Sequence, residues 1–474
     1  MRLLLFALLI IANTAFAQDV VKLSGKIQNP LSDSIEVSYN DNWIAYYPKE
    51  YYAHIDKKGN FSITFPVPHS IYLQAEIKHG NKVAEVIIKS GDNLTMTVNA
   101  AHFDSTIHYT GKENEVANFI ARHTVEKGRL NQYTQKIKAD MIKEPADFLS
   151  AIEKEKKNEI DFLDKNKSGL PQTFIRYYTM YYQYYNYFFL QQYPQIHEMA
   201  KFKRFTDTVP EINYSVIKEM PDAFNDSFLS LPPYLLYLTG VFEIKLKAAG
   251  LGYLGKDTLK QRRLQDSVYK LAYTKLPDKS GEYFIAQTLY GGAKYQLLEK
   301  TERQFTDFKK RWPGSSYLPM LYKQISMAER LAPGQPAPDF DIVTQDGKRM
   351  KLSDLKGKVV YLGFWANWCR QCVGEMISER KIKDLIKDKP LEFVYVSIDA
   401  DTATDNMLIK KYKMTGTFTH TGGGWDAKEI NLYGVQGLPA YFLIDEDGKF
   451  AVQNAPAPPQ STELILAIEK LFKE

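Results

Sequence analysis

The sequence predicts a multidomain protein: an N-terminal antiparallel β-sandwich, an α-helical middle domain and a C-terminal α/β domain. Three observations predict it. Apolar residues alternate with period two up to about residue 110. They recur at helical spacing from there to about residue 331. Beyond a proline-rich connection, strand-like and helix-like runs alternate. At 474 residues the chain is too long for one core, so several domains are expected. The composition is ordinary for a globular protein, at 44% hydrophobic and 25% charged. A formal net charge of +5 is small for this length and gives no footprint for nucleic acid or a membrane surface.

The first residues read as an export signal. Met1-Arg2 is a short positive start, residues 3–12 are apolar but too few to span a membrane, and Ala15-Phe16-Ala17 offers small residues at a cleavage site before Gln18. The expected division is a signal peptide at 1–17, a β-sandwich-like domain at 18–110, an α-helical domain at 111–331 and an α/β domain at 332–474. The mature chain is expected in the periplasm, with no transmembrane anchor.

In the first domain, Leu23, Gly25 and Ile27 alternate with polar residues, as do Ile35, Val37 and Tyr39. Phe61, Ile63 and Phe65 follow a Gly59-Asn60 turn, and Ile71, Leu73, Ala75 and Ile77 come next. Val86-Ile87-Ile88 and Leu94, Met96 and Val98, separated by Gly91-Asp92-Asn93, read as a hairpin. No catalytic constellation stands out there. His102 and His108 lack carboxylates at ligand spacing, and the domain's expected role is binding or docking.

Phe119-Ile120, Phe148-Leu149-Ile152 and Phe162-Leu163 carry the helical period of the middle region. Pro145, Pro171, Pro194, Pro210, Pro221 and Pro232-Pro233 read as helix starts and breaks. The tyrosine-dense stretch 177–193 reads as a buried helix with hydroxyls at its rim. Residues 305–322, with Trp312-Pro313-Gly314 in the middle, read as a helix–turn–helix unit without a clean repeat period.

Residues 331–338 are proline-rich and mark the clearest boundary. A hairpin is expected around Asp346-Gly347, a short helix after Ser353, and a strand at Val359–Trp365. A helix then follows Cys369, with a strand at 391–398, a helix near 404–412, a strand at Ala440–Ile444, an edge strand after Asp447-Gly448 and a last helix at 461–473. The only two cysteines of the chain, Cys369 and Cys372, lie between the 359–365 strand and the helix. Cys-x-x-Cys in that setting reads as a thioredoxin-like redox motif. A thiol at a helix N-terminus meets unpaired N–H groups and the positive end of the helix dipole, which favours the nucleophilic thiolate. A disulfide closing so small a loop adds little stability, so a purely structural role is disfavoured. Zinc would need two further ligands, and the eight histidines do not cluster at the motif, with His420 the nearest and isolated. No metal is expected, and no cofactor beyond the redox-active disulfide.

Pro336-Ala337-Pro338-Asp339-Phe340, residues 352–357, the Trp-Cys-x-x-Cys stretch and Gly437-Leu438-Pro439-Ala440 followed by Leu443-Ile444-Asp445 resemble the TlpA/ResA family of exported thioredoxin-like proteins. The resemblance covers about the last third of the chain. The upstream arrangement resembles larger Bacteroidetes-type members. The family implies a thioredoxin fold, a redox-active disulfide and a reducing role outside the cytoplasm, in some members during cytochrome c maturation. Cys369, the N-terminal cysteine, is the expected nucleophile, and Cys372 the buried resolving thiol. Trp365 and Trp368 match the family's tryptophans, with Trp368 the better candidate for the docking face. Pro439 matches its cis-proline, which lies against the disulfide and, with Leu438, leaves backbone groups for an extended substrate.

Glu375 stands where the family has a glutamate, and a buried carboxylate there would relay the proton of Cys372. Gly363 occupies the position where many thioredoxins have a buried Asp. Two departures stand out. Arg370-Gln371 separates the cysteines without the family's usual proline, and Arg370 adds positive charge that makes the disulfide more oxidising. Met376-Ile377 replaces a second proline. Gly422-Gly423-Gly424-Trp425 lacks the features of a phosphate loop and reads as a flexible rim loop.

These observations point to an exported thiol–disulfide oxidoreductase that reduces protein disulfides and draws on a membrane thiol–disulfide electron donor. The alternatives are a disulfide oxidase or isomerase, and a binding or scaffold protein of the cell envelope with an incidental disulfide.

Overall fold

The computed structural model describes residues 20–45, 48–68, 72–202, 225–248, 258–294, 298–379, 382–383, 386 and 388–472. The expected signal peptide lies outside the described residues, as do Ile71, Pro210 and Pro221. The chain forms two compact units, Met1–Phe284 and Ile285–Glu474.

The first unit begins with eight strands: β1 (Val20–Gln28), β2 (Ser34–Tyr39), β3 (Lys49–His54), β4 (Asn60–Pro66), β5 (Leu73–His79), β6 (Lys82–Ile88), β7 (Asn93–Asn99) and β8 (His108–Lys112). They build two four-stranded sheets, ordered β4-β1-β7-β8 and β3-β2-β5-β6. Apolar residues of both sheets, including Leu23, Val37, Ile63, Ile77 and Met96, belong to one buried cluster. The alternation therefore located the buried faces, but two details differ from the expectation. The pairing is not wholly antiparallel, because β1 and β7 run parallel. The segments around Gly91-Asp92 do not form a hairpin, because β6 pairs with β5 while β7 pairs with β1 and β8. Hydrogen bonds from Gly91 N–H to the Val20 carbonyl and from Lys22 N–H to the Asp92 carbonyl, 3.0 and 2.9 Å, steer the turn into the other sheet. Period two reports which face is buried; it carries no information on which strand is the partner.

Helices follow: α1 (Phe103–Thr106), α2 (Asn114–Lys127), α3 (Asn131–Asp140), α4 (Pro145–Asn166), α5 (Gln172–Phe202), α6 (Pro232–Ala248), α7 (Thr258–Lys275) and α8 (Asp278–Lys294). Pro145 and Pro232 open helices, as read from the sequence, but Pro194 lies inside α5. The tyrosines of α5 are largely interior, with Tyr178 and Tyr182 almost wholly enclosed. Their hydroxyls are not simply at a rim. Tyr178 donates to Glu159 at 3.0 Å and Tyr193 to the Lys143 carbonyl at 2.7 Å. Edge-to-face contacts such as Tyr178–Tyr182, with centroids 4.9 Å apart, fill the remaining space.

In the second unit, α9 (Leu298–Arg311) and α10 (Leu318–Arg330) precede the proline-rich connection and pack with the α/β region. Leu331 is buried in that region's core, with Met327 against it. Gln436 accepts from Tyr290 and donates to Gln324, at 3.1 and 2.9 Å. The division between the compact units falls inside α8, between Phe284 and Ile285, so the second unit includes the end of α8, α9 and α10.

Beyond the connection come the hairpin β9 (Asp341–Val343)–β10 (Arg349–Lys351), β11 (Val359–Trp365), α11 (Arg370–Ser378), β12 (Leu391–Ser397), α12 (Thr402–Tyr412), β13 (Thr417–His420), α13 (Lys428–Leu432), β14 (Ala440–Ile444), β15 (Phe450–Gln453) and α14 (Ser461–Lys470). Among the described residues, sequence reading missed β13, α13 and the one-turn helix Gly424–Asp426, all short. The sheet order is β13-β12-β11-β14-β15. Strands β11, β12 and β13 are parallel and β14 and β15 antiparallel to their neighbours, the thioredoxin-like arrangement expected.

Every residue of β11 is buried, as a central strand covered on both faces must be. Gly363 pairs with Tyr395 on one side and Tyr441 on the other. A Cβ at Gly363 would sit 3.0 Å from each ring. The cross-strand tyrosines occupy the volume a side chain would need. Gly363→Val is therefore expected to destabilise the second unit by about 1–3 kcal/mol through overpacking. The check is the urea midpoint of the full chain followed by tryptophan fluorescence; an unchanged midpoint would mean the rings move aside at no cost.

Candidate active site

Strand β11 ends at Trp365 and releases the chain into a short loop that places Cys369 at the N-cap of α11. The cysteines form a disulfide. Cys369 Sγ accepts the backbone N–H of Cys372 at 3.1 Å, so sulfur takes the place an Asp or Ser oxygen holds in an ordinary cap. Cys369 is 8% exposed and Cys372 0%. Access to the pair is through Cys369.

The loop is held from behind. Asn367 N–H donates to the Asp399 carboxylate at 2.5 Å, just beyond the end of β12. Asp399 is raised above the usual carboxylate range by burial and by neighbouring Asp405, against the lowering effect of the Asn367 bond. Asp405 is fully buried and lies 3.0 Å from His420 Nδ1. His420, isolated in sequence, thus belongs to an acidic cluster behind the redox loop. Nothing in the residue spacing marked Asp399 or Asp405, because they come from separate segments.

Trp368 is exposed beside Cys369, whereas Trp365 is core, packed edge-to-face on Phe418. Trp365 therefore does not reach the docking face, because β11 is covered on both faces of the sheet and its last side chain is enclosed like the rest. Arg370 and Gln371 open α11 and are exposed. Gln371 donates its amide to Glu375 at 2.9 Å. Leu438-Pro439 is a cis peptide. Phe364 pairs with Ala440, so Pro439 stands at the end of the sheet from which the cysteine loop leaves.

Glu375 is half-buried rather than enclosed, and its second oxygen accepts from Tyr441 Oη at 2.9 Å. Burial and the Glu375 carboxylate push the Tyr441 hydroxyl well above its ordinary range, so it remains a donor. The enclosed carboxylate on this side is Glu379, which sequence reading passed over. It is 2% exposed, with Lys383 at 3.4 Å. Glu379 Oε1 and the Tyr395 hydroxyl, which lies near it, have no hydrogen bond of full geometry among the described residues. Burial pushes the carboxyl up to about 7, although Lys383 opposes the shift. The periodicity signal was available: Glu379 lies seven residues after Cys372, on the same face of the helix.

The sign of the resulting pH dependence is fixed. An unfolded chain releases this proton near about 4.3 and the folded chain only near about 7, so the folded state binds more protons between those values. Its contribution to stability falls as pH rises through that window. Thermal melts of the native protein and Glu379→Gln at pH 5 and pH 8 test this. The variant is expected to lose less stability between the two; an identical loss would remove Glu379 as the source.

Known proteins share this part of the chain. The Redoxin family model matches residues 332–464. The thiol-disulfide oxidoreductase ResA of Bacillus cereus (strain ATCC 10987 / NRS 248) is 35% identical over 124 residues, 26% of this chain and 70% of that protein. ResA of Bacillus subtilis (strain 168) is 33% identical over 121 residues, 26% of this chain and 66% of that protein. Among solved structures, the thioredoxin domain of a thiol-disulfide oxidoreductase from Bacteroides vulgatus is 26% identical and covers 30% of this chain and 97% of that one, with a TM-score of 0.27. A central strand feeding a Cys-x-x-Cys helix cap, together with this degree of identity to ResA, leads to one conclusion: the chain belongs to the ResA, TlpA-like family of thiol-disulfide oxidoreductases and is an oxidoreductase enzyme.

Proposed function

We propose that the protein is an exported reductase of protein disulfides working through Cys369 and Cys372. The observation that carries this reading is the Cys369 sulfur at the cap of α11, accepting a backbone N–H while Cys372 is closed to solvent. In the dithiol form, the Cys369 thiolate attacks a substrate disulfide, forming a mixed disulfide and expelling one substrate thiolate. Cys372, deprotonated, then attacks Cys369 Sγ, expels the second substrate thiolate and closes the Cys369–Cys372 disulfide. Two electrons pass to the substrate, whose thiolates take up protons. Glu375, one helical turn past Cys372, accepts its proton. Leu438 and Pro439, at the same end of the sheet, offer backbone to an extended substrate. A membrane-borne dithiol donor regenerates the enzyme outside the cytoplasm.

Support for export comes from residues 1–17 of the sequence. Among the described residues no helix is long and apolar enough to cross a membrane. The N-terminal sheets, read as a sandwich around one apolar cluster, and the helices after them serve as docking modules for substrate or donor. Exposed Arg370 beside Cys369 favours a second reading, an oxidase or isomerase, because positive charge stabilises the Cys369 thiolate and with it the reduced form.

Two experiments separate these readings. Cys369→Ser is expected to lower disulfide exchange by about a thousandfold or more, whereas Cys372→Ser accumulates a mixed disulfide at Cys369. Exchange surviving Cys369→Ser would refute the assignment of the nucleophile. The midpoint potential of the pair, from equilibration in dithiothreitol and glutathione buffers, is expected at about −250 mV or lower. A value of about −150 mV or higher would replace the reductase with an oxidase or isomerase.

A further inference from the structure

Against Trp368, the residue before Cys369, stands a second tryptophan, from the segment read as a rim loop. Trp425 is 46% exposed and Trp368 57%, and their ring centroids lie 6.4 Å apart. The two indoles come from different segments but hang from one support, the end of β12. Gly424 N–H donates to the Ile398 carbonyl at 3.1 Å, which fixes the one-turn helix Gly424–Asp426 that carries Trp425. Asn367 N–H, one residue before Trp368, donates to Asp399. The Gly422-Gly423-Gly424 segment, expected as a flexible rim, is therefore tied to the sheet. Thr421 N–H adds a bond to the Ser397 carbonyl at 2.9 Å.

Large indoles left half in water are costly unless something covers them. The reaction itself says what does. Disulfide exchange brings a partner sulfur to bonding distance of Cys369, and Trp368 precedes Cys369 in the chain. A residue next to the partner's cysteine must then lie against the indole pair. Paired rigid aromatics give such a residue apolar area at little entropic cost.

We propose that Trp425, paired with Trp368, forms a subsite for an apolar side chain adjacent to the target cysteine, so that the preferred substrate is a polypeptide with a Leu- or Phe-flanked cystine. This rests on Cys369 being the attacking thiol. Trp425 touches the substrate's flanking residue and takes no part in the electron transfer.

The test uses the full-length dithiol protein and two disulfide-linked peptide dimers, identical except for Leu or Ser beside the cysteine. The native protein is expected to favour the Leu peptide by about tenfold in kcat/KM, carried by KM. Trp425→Ala is expected to bring that ratio close to one, and Trp425→Phe to restore most of it. Absence of a preference in the native protein, or its persistence in Trp425→Ala, overturns the subsite. A loss in Trp425→Ala that is equal for both peptides also overturns it, since that marks a structural effect on the loop. Failure of the native protein to exchange with either peptide would instead refute the redox reading on which the subsite rests.

Discussion

Backbone pairing of β11 on both sides is the constraint on which the active site depends. The strand is fixed by β12 in parallel and β14 in antiparallel, and it is buried along its whole length. Its end is therefore a stable platform from which the loop reaches the cap of α11. The same pairing sets Tyr395 and Tyr441 on either side of Gly363, and Tyr441 in turn reaches Glu375 on the helix that carries both cysteines. One strand thus couples the packing of the sheet to the helix of the disulfide. A side chain at Gly363 would disturb both.

Charge is distributed around this platform in two places. On the helix side, Glu375 is half-buried with two donors, while Glu379 is enclosed and shifted upward by burial. Behind the loop, Asp399 receives the Asn367 N–H and is shifted upward beside Asp405. A carboxyl such as Glu379, pushed up to about 7 by burial, suits a reaction whose thiols must gain and lose protons. The Glu375 site differs from an apolar pocket, because Gln371 and Tyr441 each donate a hydrogen bond to the carboxylate.

The first unit follows a different physical logic. Its sheets enclose a cluster of mixed aliphatic and aromatic residues, whereas α4 and α5 meet through aromatic rings and through Glu159 and Tyr178, which are joined by His123 of α2. His123 and Tyr178 each contact the same Glu159 oxygen, at 2.9 and 3.0 Å, which gives a buried carboxylate the partners it requires. The tyrosine-rich composition of α5 is accounted for by this packing.

The sequence by itself determined the elements that depend on local pattern. Period-two alternation located the apolar faces of β1, β2, β4, β5 and β7, and the Cys-x-x-Cys between strand and helix located the chemistry. The family resemblance, rather than local pattern, placed Pro439 at a cis peptide and Trp368 on the surface. Only the tertiary structure decided what depends on partners distant in the chain. It set the parallel β1–β7 pair, the separation of β6 from β7, and the inward side of Trp365. It also decided the enclosure of Glu379 and the meeting of Trp368 with Trp425 across 57 positions of sequence. Periodicity records how each segment divides between core and solvent, because that division is local to the segment. Which segments then face each other is settled by register and packing, and that information is shared among residues far apart.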